Sequence, residues 1–460
     1  MNVDKRSLYL LLSVTVLGLI LRLYNLGFNS LWLDEAATNV LSRVSIVQIW
    51  QSTAAGEFNP PLFYILEHFM LVFGNSEIVL RILPAIFGTL AIPVFYYIGK
   101  EFKDENTGFI MSVMCAVSPF LIWYSQEARA YSLLLLLIAL ATYVFIRALE
   151  DNLKEDWILF AFFGAVAVWT HFYAFVAMGA FFVYAIYYLG TAKSEKGVIR
   201  NAIPFMKSVA IWFFLCLPIF SMMGTLFAKR TASSPTYGII GIPLAIQTLL
   251  QLSWFSEIVL LAILILFTIG IFTLKNHKLF LPSILLLVFL FSINVSVLFP
   301  MLPRYLIFLS IFLYLGVAVS YQYVAKFFKC NSENITLLIA VFFILMSIPT
   351  LLPYYTQESR EDWRVITSDL SELTSTGDTI VIVPKYIEYP VEYYYSAEKD
   401  GTTLAGTMTV EELENISAEW YIVTPDISAA DPSGKSLEWL KKNTITVKTY
   451  MGNVEILKRI

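Results

Sequence analysis

Residues 118–136 have the sequence SPFLIWYSQEARAYSLLLL, in which two apolar runs flank one short polar segment. The first run extends back to residue 107 and the second continues to residue 146. Each is about as long as a helix that crosses the hydrocarbon core of a bilayer. The polar segment, Ser125–Tyr131, contains Glu127 and Arg129 and predicts a turn between two membrane spans at the outer face.

Similar apolar runs recur along most of the 460 residues. Hydrophobic residues make up 58% of the sequence and charged residues only 14%, with a mean hydropathy of +0.70. Soluble domains are about half apolar and a quarter charged, so this composition excludes a soluble globular protein. The runs fall near residues 8–26, 82–98, 107–124, 131–146, 157–189, 209–227, 258–274, 279–298, 305–324 and 335–352.

The run at 157–189 is too long for one span, because a helix of that length would measure about 50 Å. A break near Thr170 and His171 gives two short spans and about eleven transmembrane helices in total. It also places the basic loop from Lys193 to Lys207 in the cytoplasm with the other basic loops, as the positive-inside rule requires. We therefore expect an uncleaved first span and a cytoplasmic N-terminus. Two further apolar segments, 61–74 and 237–255, are predicted to lie in the membrane interface; the alternatives are a re-entrant segment for 61–74 and a further span for 237–255.

Residues 354–460 differ from the rest of the chain. They contain 10 Lys and Arg against 18 Asp and Glu, a net charge of −8. An amphipathic stretch at 363–373 precedes strand-like runs at 379–383 and 420–423. The predicted organisation is a transmembrane domain at 1–353, with its first outer loop at 28–80, and a small extracytoplasmic α/β domain at 354–460.

The first outer loop contains the motif LWLDEA, with adjacent carboxylates at Asp34 and Glu35. Neighbouring acids close to an apolar surface repel each other and lose solvation, which raises the pKa of one of them as a general base requires. The alternative is structural: acids favour the first turn of a helix, with Asn29 or Ser30 as its cap. Both interpretations fit the sequence.

Other candidates lie at the predicted outer turns. Glu127 could face Asp34 or Glu35 across an outer vestibule, or it could form an interfacial ion pair with Arg129. His171, within WTHFY, is either a ligand or an interface residue surrounded by aromatic rings.

Three arginines reach the predicted outer boundary: Arg81, Arg129 and Arg304. Guanidinium groups match phosphate oxygens, and a cation in the membrane is costly unless it is paired or used. Their structural alternative is to anchor helix ends by extending toward the interface. Three arginines with an acidic pair favour a site that holds an anionic lipid head group and activates a hydroxyl.

Several stretches together resemble the polyprenyl-phosphate-sugar-dependent glycosyltransferases of the GT-C fold, a group that includes protein O-mannosyltransferases and the lipid A aminoarabinose transferase. The resemblance covers residues 1 to about 325 and is closest to the prokaryotic branch, so the expected location is a prokaryotic plasma membrane. The matching stretches are LWLDEA, NPPLFYILEHF, EIVLRILPAIFGTLAIPVFYYIGKEF, SPFLIWYSQEARAYSLLLL, WTHFYAF and PRYL.

The resemblance implies that Asp34 is the catalytic carboxylate with Glu35 beside it, and that Glu127 is a second acid. It implies substrate-binding roles for the remaining candidates, with Arg304 as the main phosphate contact: Arg81, Arg129, Arg304, His171, Asn59 and Tyr131. Asn59 stands where many relatives have His, and the extra lumenal domain of eukaryotic protein mannosyltransferases is absent. Some relatives bind a divalent metal ion, for which Glu127 and His171 are the candidate ligands.

The expected activity is inverting transfer of a mannose-like hexose or related sugar from a polyprenyl-phosphate donor to a lipid, glycan or protein. The expected partners are that donor, the acceptor and membrane lipids, and no nucleic acid. Three alternatives remain: a transporter or flippase of a lipid-linked saccharide, an oligosaccharide ligase, and a membrane scaffold. A transporter would be expected to show repeat symmetry and ionisable residues at mid-bilayer, whereas here these residues cluster at one face.

Overall fold

The structure is a computed structural model that describes residues 5–191, 195–232, 238–274, 280–395 and 402–460. Of the residues used above to predict the orientation and the interfacial segments, Lys193 and residue 237 lie outside the described residues. The apolar part of the chain is almost entirely helical. Its helices are α1 Lys5–Leu23, α2 Leu33–Arg43, α3 Ile46–Ala54, α4 Leu62–Met70, α5 Glu77–Phe102, α6 Glu105–Val117, α7 Pro119–Ser125, α8 Tyr131–Asp151, α9 Lys154–Thr170, α10 Ala174–Gly190, α11 Glu195–Ala232, α12 Ile242–Leu252, α13 Glu257–Thr273, α14 Phe280–Leu298, α15 Leu309–Ala318, α16 Tyr321–Phe328 and α17 Ser332–Thr356.

Seven helical segments within the described residues are long and apolar enough to cross a membrane, or nine if two bent helix pairs each count as one span. The bent pairs are α6 with α7, at 57°, and α12 with α13, at 94°. Helices α9 and α10 have 17 residues each, about 26 Å at 1.5 Å per residue, and are therefore slightly shorter than the hydrocarbon core. The chain breaks between them at His171, so the predicted split of the run at 157–189 is confirmed.

The bend between α6 and α7 has a local cause. Pro119 begins α7, and because proline has no N–H it cannot continue the hydrogen-bond ladder of α6. Ser118 caps α7 by accepting a hydrogen bond from the backbone N–H of Leu121. The turn that the sequence predicts at Ser125–Tyr131 follows directly and leads into α8.

Contacts divide the chain into two compact units. The first comprises Met1–Tyr24, Ser45–Val72 and Arg81–Pro353, and the second comprises Asn25–Val44, Phe73–Leu80 and Tyr354–Ile460. The sequence assigns residues 28–80 to the transmembrane domain, whereas by their contacts all of α2 and Phe73–Leu80 belong to the second unit.

The second unit contains a five-stranded sheet in the order β2-β1-β3-β5-β4. Its strands are β1 Thr379–Val383, β2 Thr403–Gly406, β3 Trp420–Val423, β4 Thr444–Thr449 and β5 Glu455–Arg459, and its further helices are α18 Trp363–Leu373, α19 Glu388–Tyr394, α20 Val410–Asn415, α21 Ile427–Ala430 and α22 Lys435–Asn443. The first three strands are parallel and the last two pair antiparallel.

Both faces of this sheet are covered, because alternate residues of a strand point to opposite sides. Ile380 and Ile382 of β1 pack with α18 and α19, and Leu33 of α2 joins this face. Val381 and Val383 pack on the other face, in a cluster that includes Leu440 of α22. The predicted fold class, a polytopic helical membrane protein with a small C-terminal α/β domain, is thus confirmed.

Candidate functional site

In the first unit, the turn from Ser125 to Tyr131 contains three of the candidate residues. Glu127, Arg129 and Tyr131 are all buried, and the backbone N–H of Arg129 donates to the carbonyl of Glu127 at 2.6 Å. Tyr131 begins α8, and its ring lies edge-on to that of Tyr124 at 5.2 Å between centroids. The turn is therefore a tightly packed part of the helical unit.

Aromatic rings from two other segments lie against Tyr131, at the end of the turn. The ring of His171 lies 5.7 Å from Tyr131 and 5.4 Å from Tyr305, measured between centroids. Tyr305 stacks on Tyr173 at 5.0 Å and on Tyr131 at 6.3 Å. The structure thus brings together two residues that the sequence analysis had singled out separately, His171 and Tyr131.

Arg304 belongs to the same group. It lies in the short 3-10 turn Pro303–Leu306, and its guanidinium carbon is 5.7 Å from the centroid of Tyr131 and 5.9 Å from that of Tyr305. A guanidinium group near aromatic rings is held by cation–π attraction with its planar geometry intact. Within the first unit, five residues therefore form one cluster, which we call the aromatic–arginine cluster. Its members are Tyr131, His171, Tyr173, Arg304 and Tyr305.

The imidazole of His171 accepts a hydrogen bond within this cluster. Its Nδ1 accepts a hydrogen bond from the backbone N–H of Tyr173 at 3.2 Å. Burial, together with the positive charges of Arg129 and Arg304, lowers the pKa of His171 to about 3. The imidazole is consequently neutral at physiological pH, and the positive charges of Arg129 and Arg304 favour an anion beside it.

These surroundings do not suit a metal ion. A divalent cation next to His171 would be repelled by the guanidinium groups of Arg129 and Arg304, and Nδ1 already accepts a hydrogen bond. In the described part of the chain, no three His, Cys, Asp or Glu side chains are grouped as metal ligands. The predicted pairing of Glu127 with His171 as metal ligands therefore gains no support from the geometry.

Two other candidates of the first unit are buried away from solvent. Arg81 is 3% exposed, in the second turn of α5, and Asn59 is 6% exposed, just before the prolines that lead into α4. Glu67 of α4 is fully buried, which the sequence analysis did not anticipate for a helix assigned to the interface.

The acidic motif lies in the second unit. Glu35 is fully buried and accepts hydrogen bonds from the backbone N–H of Trp32 at 3.4 Å and from Nη1 of Arg360 at 3.5 Å. The guanidinium carbon of Arg360 also lies 5.0 Å from the Trp32 ring centroid. Asp34 is only partly buried, and its carbonyl accepts a hydrogen bond from the hydroxyl of Thr38. Glu35 is thus held in place while its neighbour is more open to solvent.

The residues before α2 are tied to the C-terminal part of the same unit. The hydroxyl of Ser30 donates to the carbonyl of Glu361 at 2.8 Å and accepts from the backbone N–H of Trp363 at 3.0 Å. The backbone N–H of Leu31 donates to the hydroxyl of Tyr394 at 2.8 Å. The proposed capping of α2 by Asn29 or Ser30 is therefore wrong: the helix begins after Trp32, and Ser30 bonds to distant backbone groups instead.

Two arginines, one in each unit, were not among the candidates. Arg360 carries no local sequence signal, because its partner Glu35 is 325 residues away along the chain. Arg22 lies fully buried at the end of α1, and the general cost of an arginine within a membrane span could have drawn attention to it.

The comparisons with known proteins agree with this architecture. A profile of the dolichyl-phosphate-mannose-protein mannosyltransferase family matches residues 59–222. A search of curated proteins found no significant match. Among solved structures, ArnT from Cupriavidus metallidurans bound to undecaprenyl phosphate superimposes with a TM-score of 0.61 at 11% identity, covering 100% of this chain and 99% of ArnT.

A second structure with this architecture is the archaeal oligosaccharyltransferase AglB from Archaeoglobus fulgidus, in complex with an inhibitory peptide and a dolichol-phosphate. Its TM-score is 0.56 at 13% identity, with 98% of this chain and 74% of AglB covered. At such low identities the likeness establishes the fold. The chain therefore has the GT-C fold of ArnT and AglB, and over residues 59–222 its sequence resembles the dolichyl-phosphate-mannose-protein mannosyltransferases.

Proposed function

We propose that this protein is a membrane glycosyltransferase that moves a monosaccharide from a polyprenyl-phosphate donor to an acceptor hydroxyl. The observation that carries the proposal is the aromatic–arginine cluster. In it, Arg304 lies against two tyrosine rings, and the charges of Arg129 and Arg304 both lower the pKa of the buried His171. The structure of ArnT holds undecaprenyl phosphate, and the matching family is named for dolichyl-phosphate mannose. Both support a lipid phosphate as the anion.

The basic residues would hold the donor phosphate. Arg304 can place two parallel N–H groups against phosphate oxygens, and the tyrosine rings fix the plane of its guanidinium. Arg129 adds a second positive charge near the same place. The neutral imidazole of His171 can accept a hydrogen bond from a sugar hydroxyl without opposing the phosphate charge.

The acidic motif would supply the base. The acceptor oxygen attacks the anomeric carbon of the sugar while the bond from that carbon to the phosphate oxygen breaks. The acceptor proton passes to the carboxylate of Asp34, and the polyprenyl phosphate leaves with its negative charge held by Arg304 and Arg129. Attack from the face opposite the phosphate inverts the anomeric centre.

Glu35 has a different part in this proposal. Its carboxylate accepts from Trp32 and Arg360 and is fully buried, so it orients the start of α2. The less buried Asp34 is the acid that an acceptor can reach. Glu127 stays a proposed second acid of the site.

The likeness to AglB keeps one alternative open, which is transfer of an oligosaccharide in place of a monosaccharide. The acceptor class also remains to be assigned among lipids, glycans and proteins. Both questions have the same test. Purified protein in liposomes is supplied with radiolabelled monosaccharyl and oligosaccharyl polyprenyl phosphates, and the label is followed into lipid, glycan and protein fractions.

We expect label to pass from a monosaccharyl donor into one fraction, and to stay on the donor when Asp34→Asn protein is used. Transfer from oligosaccharyl donors alone would establish the ligase alternative. Movement of the donor across the membrane without any transfer would contradict the proposal and favour a flippase.

A further inference from the structure

Arg22 is a fully buried cation at the end of the first membrane span, outside the aromatic–arginine cluster. Its guanidinium donates to four acceptors: Nη2 to the carbonyl of Cys115 at 2.9 Å, Nη1 to the carbonyls of Ala116 at 3.0 Å and Gly18 at 3.1 Å, and Nε to the hydroxyl of Ser125 at 3.2 Å. Three of these acceptors lie on α6 and α7. One side chain thus joins α1 to both halves of the bent pair.

Two of the carbonyls that Arg22 binds, those of Cys115 and Ala116, lie at the bend, where the hydrogen-bond pattern of α6 ends. In an uninterrupted helix, the carbonyl of Cys115 would accept from the N–H of residue 119, but residue 119 is proline. The carbonyl of Ala116 belongs to the same final turn, where helical acceptors remain unfilled. Since there is no water in a membrane to satisfy such groups, a donor must come from a neighbouring helix.

A second side chain makes the reverse connection. Nε2 of Gln126, the first residue after α7, donates to the carbonyls of Arg22 at 2.9 Å and Tyr24 at 2.8 Å. These carbonyls lie at the end of α1, where helical donors also run out. Arg22 therefore completes the end of α6, and Gln126 completes the end of α1.

The far side of the turn is held by the same network. The hydroxyl of Ser132, in the first turn of α8, donates to the hydroxyl of Ser125 at 3.3 Å and to the carbonyl of Tyr124 at 2.7 Å. Ser125, which also receives the hydrogen bond from Arg22, thus links the two ends of the turn. Between these ends lie Glu127 and Arg129.

Gly88 of α5 leaves space for the hydrogen bond between Arg22 and Ser125, because it has no side chain. A Cβ atom added to Gly88 would lie 2.0 Å from the hydroxyl oxygen of Ser125 and 2.9 Å from Nε of Arg22. An alanine at this position would therefore push apart the hydrogen-bonded pair. Gly179 of α10 offers a comparison, because a Cβ added there meets no atom within 4 Å.

We propose that Arg22 is a positioning residue that fixes the turn from Ser125 to Tyr131, and through it the placement of Glu127 and Arg129 for the lipid-phosphate donor. Lysine cannot replace it, since a single ammonium group does not reach carbonyls and a hydroxyl in four directions. The activity measurement that tests this inference rests on the proposed function. A second measurement, hydrogen exchange of the turn, does not depend on that function.

The test compares Arg22→Lys, Gly88→Ala and Gly179→Ala with the wild type in detergent or liposomes. Hydrogen–deuterium exchange of the backbone amides at 125–131 reports how firmly the turn is held. Steady-state transfer from a monosaccharyl polyprenyl phosphate, normalised to folded protein, gives kcat and the donor KM. A purely structural role would lower the yield of folded protein and leave both constants unchanged per folded molecule.

We expect faster exchange at 125–131 in Arg22→Lys and Gly88→Ala, with kcat/KM for the donor lowered about 10- to 100-fold, as a misplacement of about 1 Å can cause. Gly179→Ala should match the wild type in both measurements. Unchanged exchange, or faster exchange with kcat/KM within twofold of wild type, would overturn the inference. If the wild type transfers no sugar, the proposed function fails, and the exchange at 125–131 alone decides whether Arg22 holds the turn.

Discussion

Asp34 and Glu35 are adjacent in the sequence, yet their environments differ. Glu35 is fully buried and bonds to Trp32 and Arg360, whereas the side chain of Asp34 is partly open. Two neighbouring carboxylates can therefore have separate tasks, one in holding the start of α2 and one in chemistry. Substitutions that keep the size of each side chain separate the two tasks.

Asp34→Asn keeps the shape of the side chain and removes the base, so we expect turnover to fall by roughly two to four orders of magnitude. Donor binding should be retained. Glu35→Gln should instead lower the free energy of unfolding by roughly 1.5–3 kcal/mol, because it weakens a charge-assisted hydrogen bond, and it should reduce turnover less. Transfer assays and thermal unfolding of both variants, with polyprenyl phosphate binding as the control, make the comparison. Near-normal transfer by folded Asp34→Asn protein would remove Asp34 from the mechanism.

Arg304→Lys keeps the positive charge but loses the planar pair of N–H donors and the stacking on Tyr131 and Tyr305. We expect kcat/KM for the donor to fall about tenfold, equivalent to one charge-assisted hydrogen bond of ~1.5 kcal/mol. Arg304→Ala should lose more. If both variants transfer sugar as well as the wild type, Arg304 only anchors its helix end.

At the scale of elements, the start of α22 shows how one carboxylate organises a helix end. Asp431 accepts from the backbone N–H groups of Ser433 at 3.1 Å and Ser436 at 2.8 Å. Hydrogen bonds from the hydroxyl of Ser433 and then from Ser436 lower the pKa of Asp431 to about 2. An aspartate in an unfolded chain has a pKa of about 3.9.

Since the folded-state pKa is the lower of the two, the ionised Asp431 stabilises the folded state above about pH 4, and this contribution is lost as the pH falls toward 2. Asp431→Asn removes the charge. We expect its amides at 433–443 to exchange faster than those of the wild type at pH 5, and the difference to shrink as the pH approaches 2. Hydrogen exchange of the two proteins at matched pH measures this. A difference that does not depend on pH would show that the charge of Asp431 is unimportant.

The sequence predicted the elements whose signal is local. The strands at 379–383 and 420–423 are β-branched or aromatic runs, and both occur at the predicted residues. Strands β4 and β5 were not predicted, although Ile445 and Val447 of β4 alternate with polar residues; only the first residue of β4 is buried. The break at His171 was predicted from length, whereas the bend at Ser118 was not, since the apolar run at 107–124 continues through it.

Contacts between distant residues were beyond a local analysis. The clustering of Tyr131, His171 and Arg304 requires three segments to pack together, and the sequence placed them only at the same predicted face. The network around Arg22 depends on Cys115, Ala116 and Ser125, which no pattern in α1 identifies. The types of candidate residues could be predicted, but not their partners.

At the scale of the whole molecule, the orientation in the membrane is a prediction from the basic loops. The protein offers its own probe, because Cys330 is exposed and lies beside the basic residues predicted to face the cytoplasm, while Cys115 and Cys216 are buried. A cysteine introduced at the exposed Ser433 should react with a membrane-impermeant maleimide in intact cells, and Cys330 should react only after permeabilisation. Cys330→Ser protein serves as the control. Labelling of Cys330 with protection of position 433 would reverse the orientation.

The second unit combines segments that are far apart in the sequence, and this affects when the unit can fold during synthesis. Its packing joins Asn25–Val44 to Tyr354–Ile460, and Glu35 receives its hydrogen bond from Arg360, 325 residues later. A ribosome makes these segments roughly 16 to 65 seconds apart at about 5–20 residues per second. Helix α2, with Asp34, therefore waits for its packing partners through the translation of nearly all the membrane helices. A nascent chain truncated before residue 354 would carry the acidic motif without the surroundings that shape it.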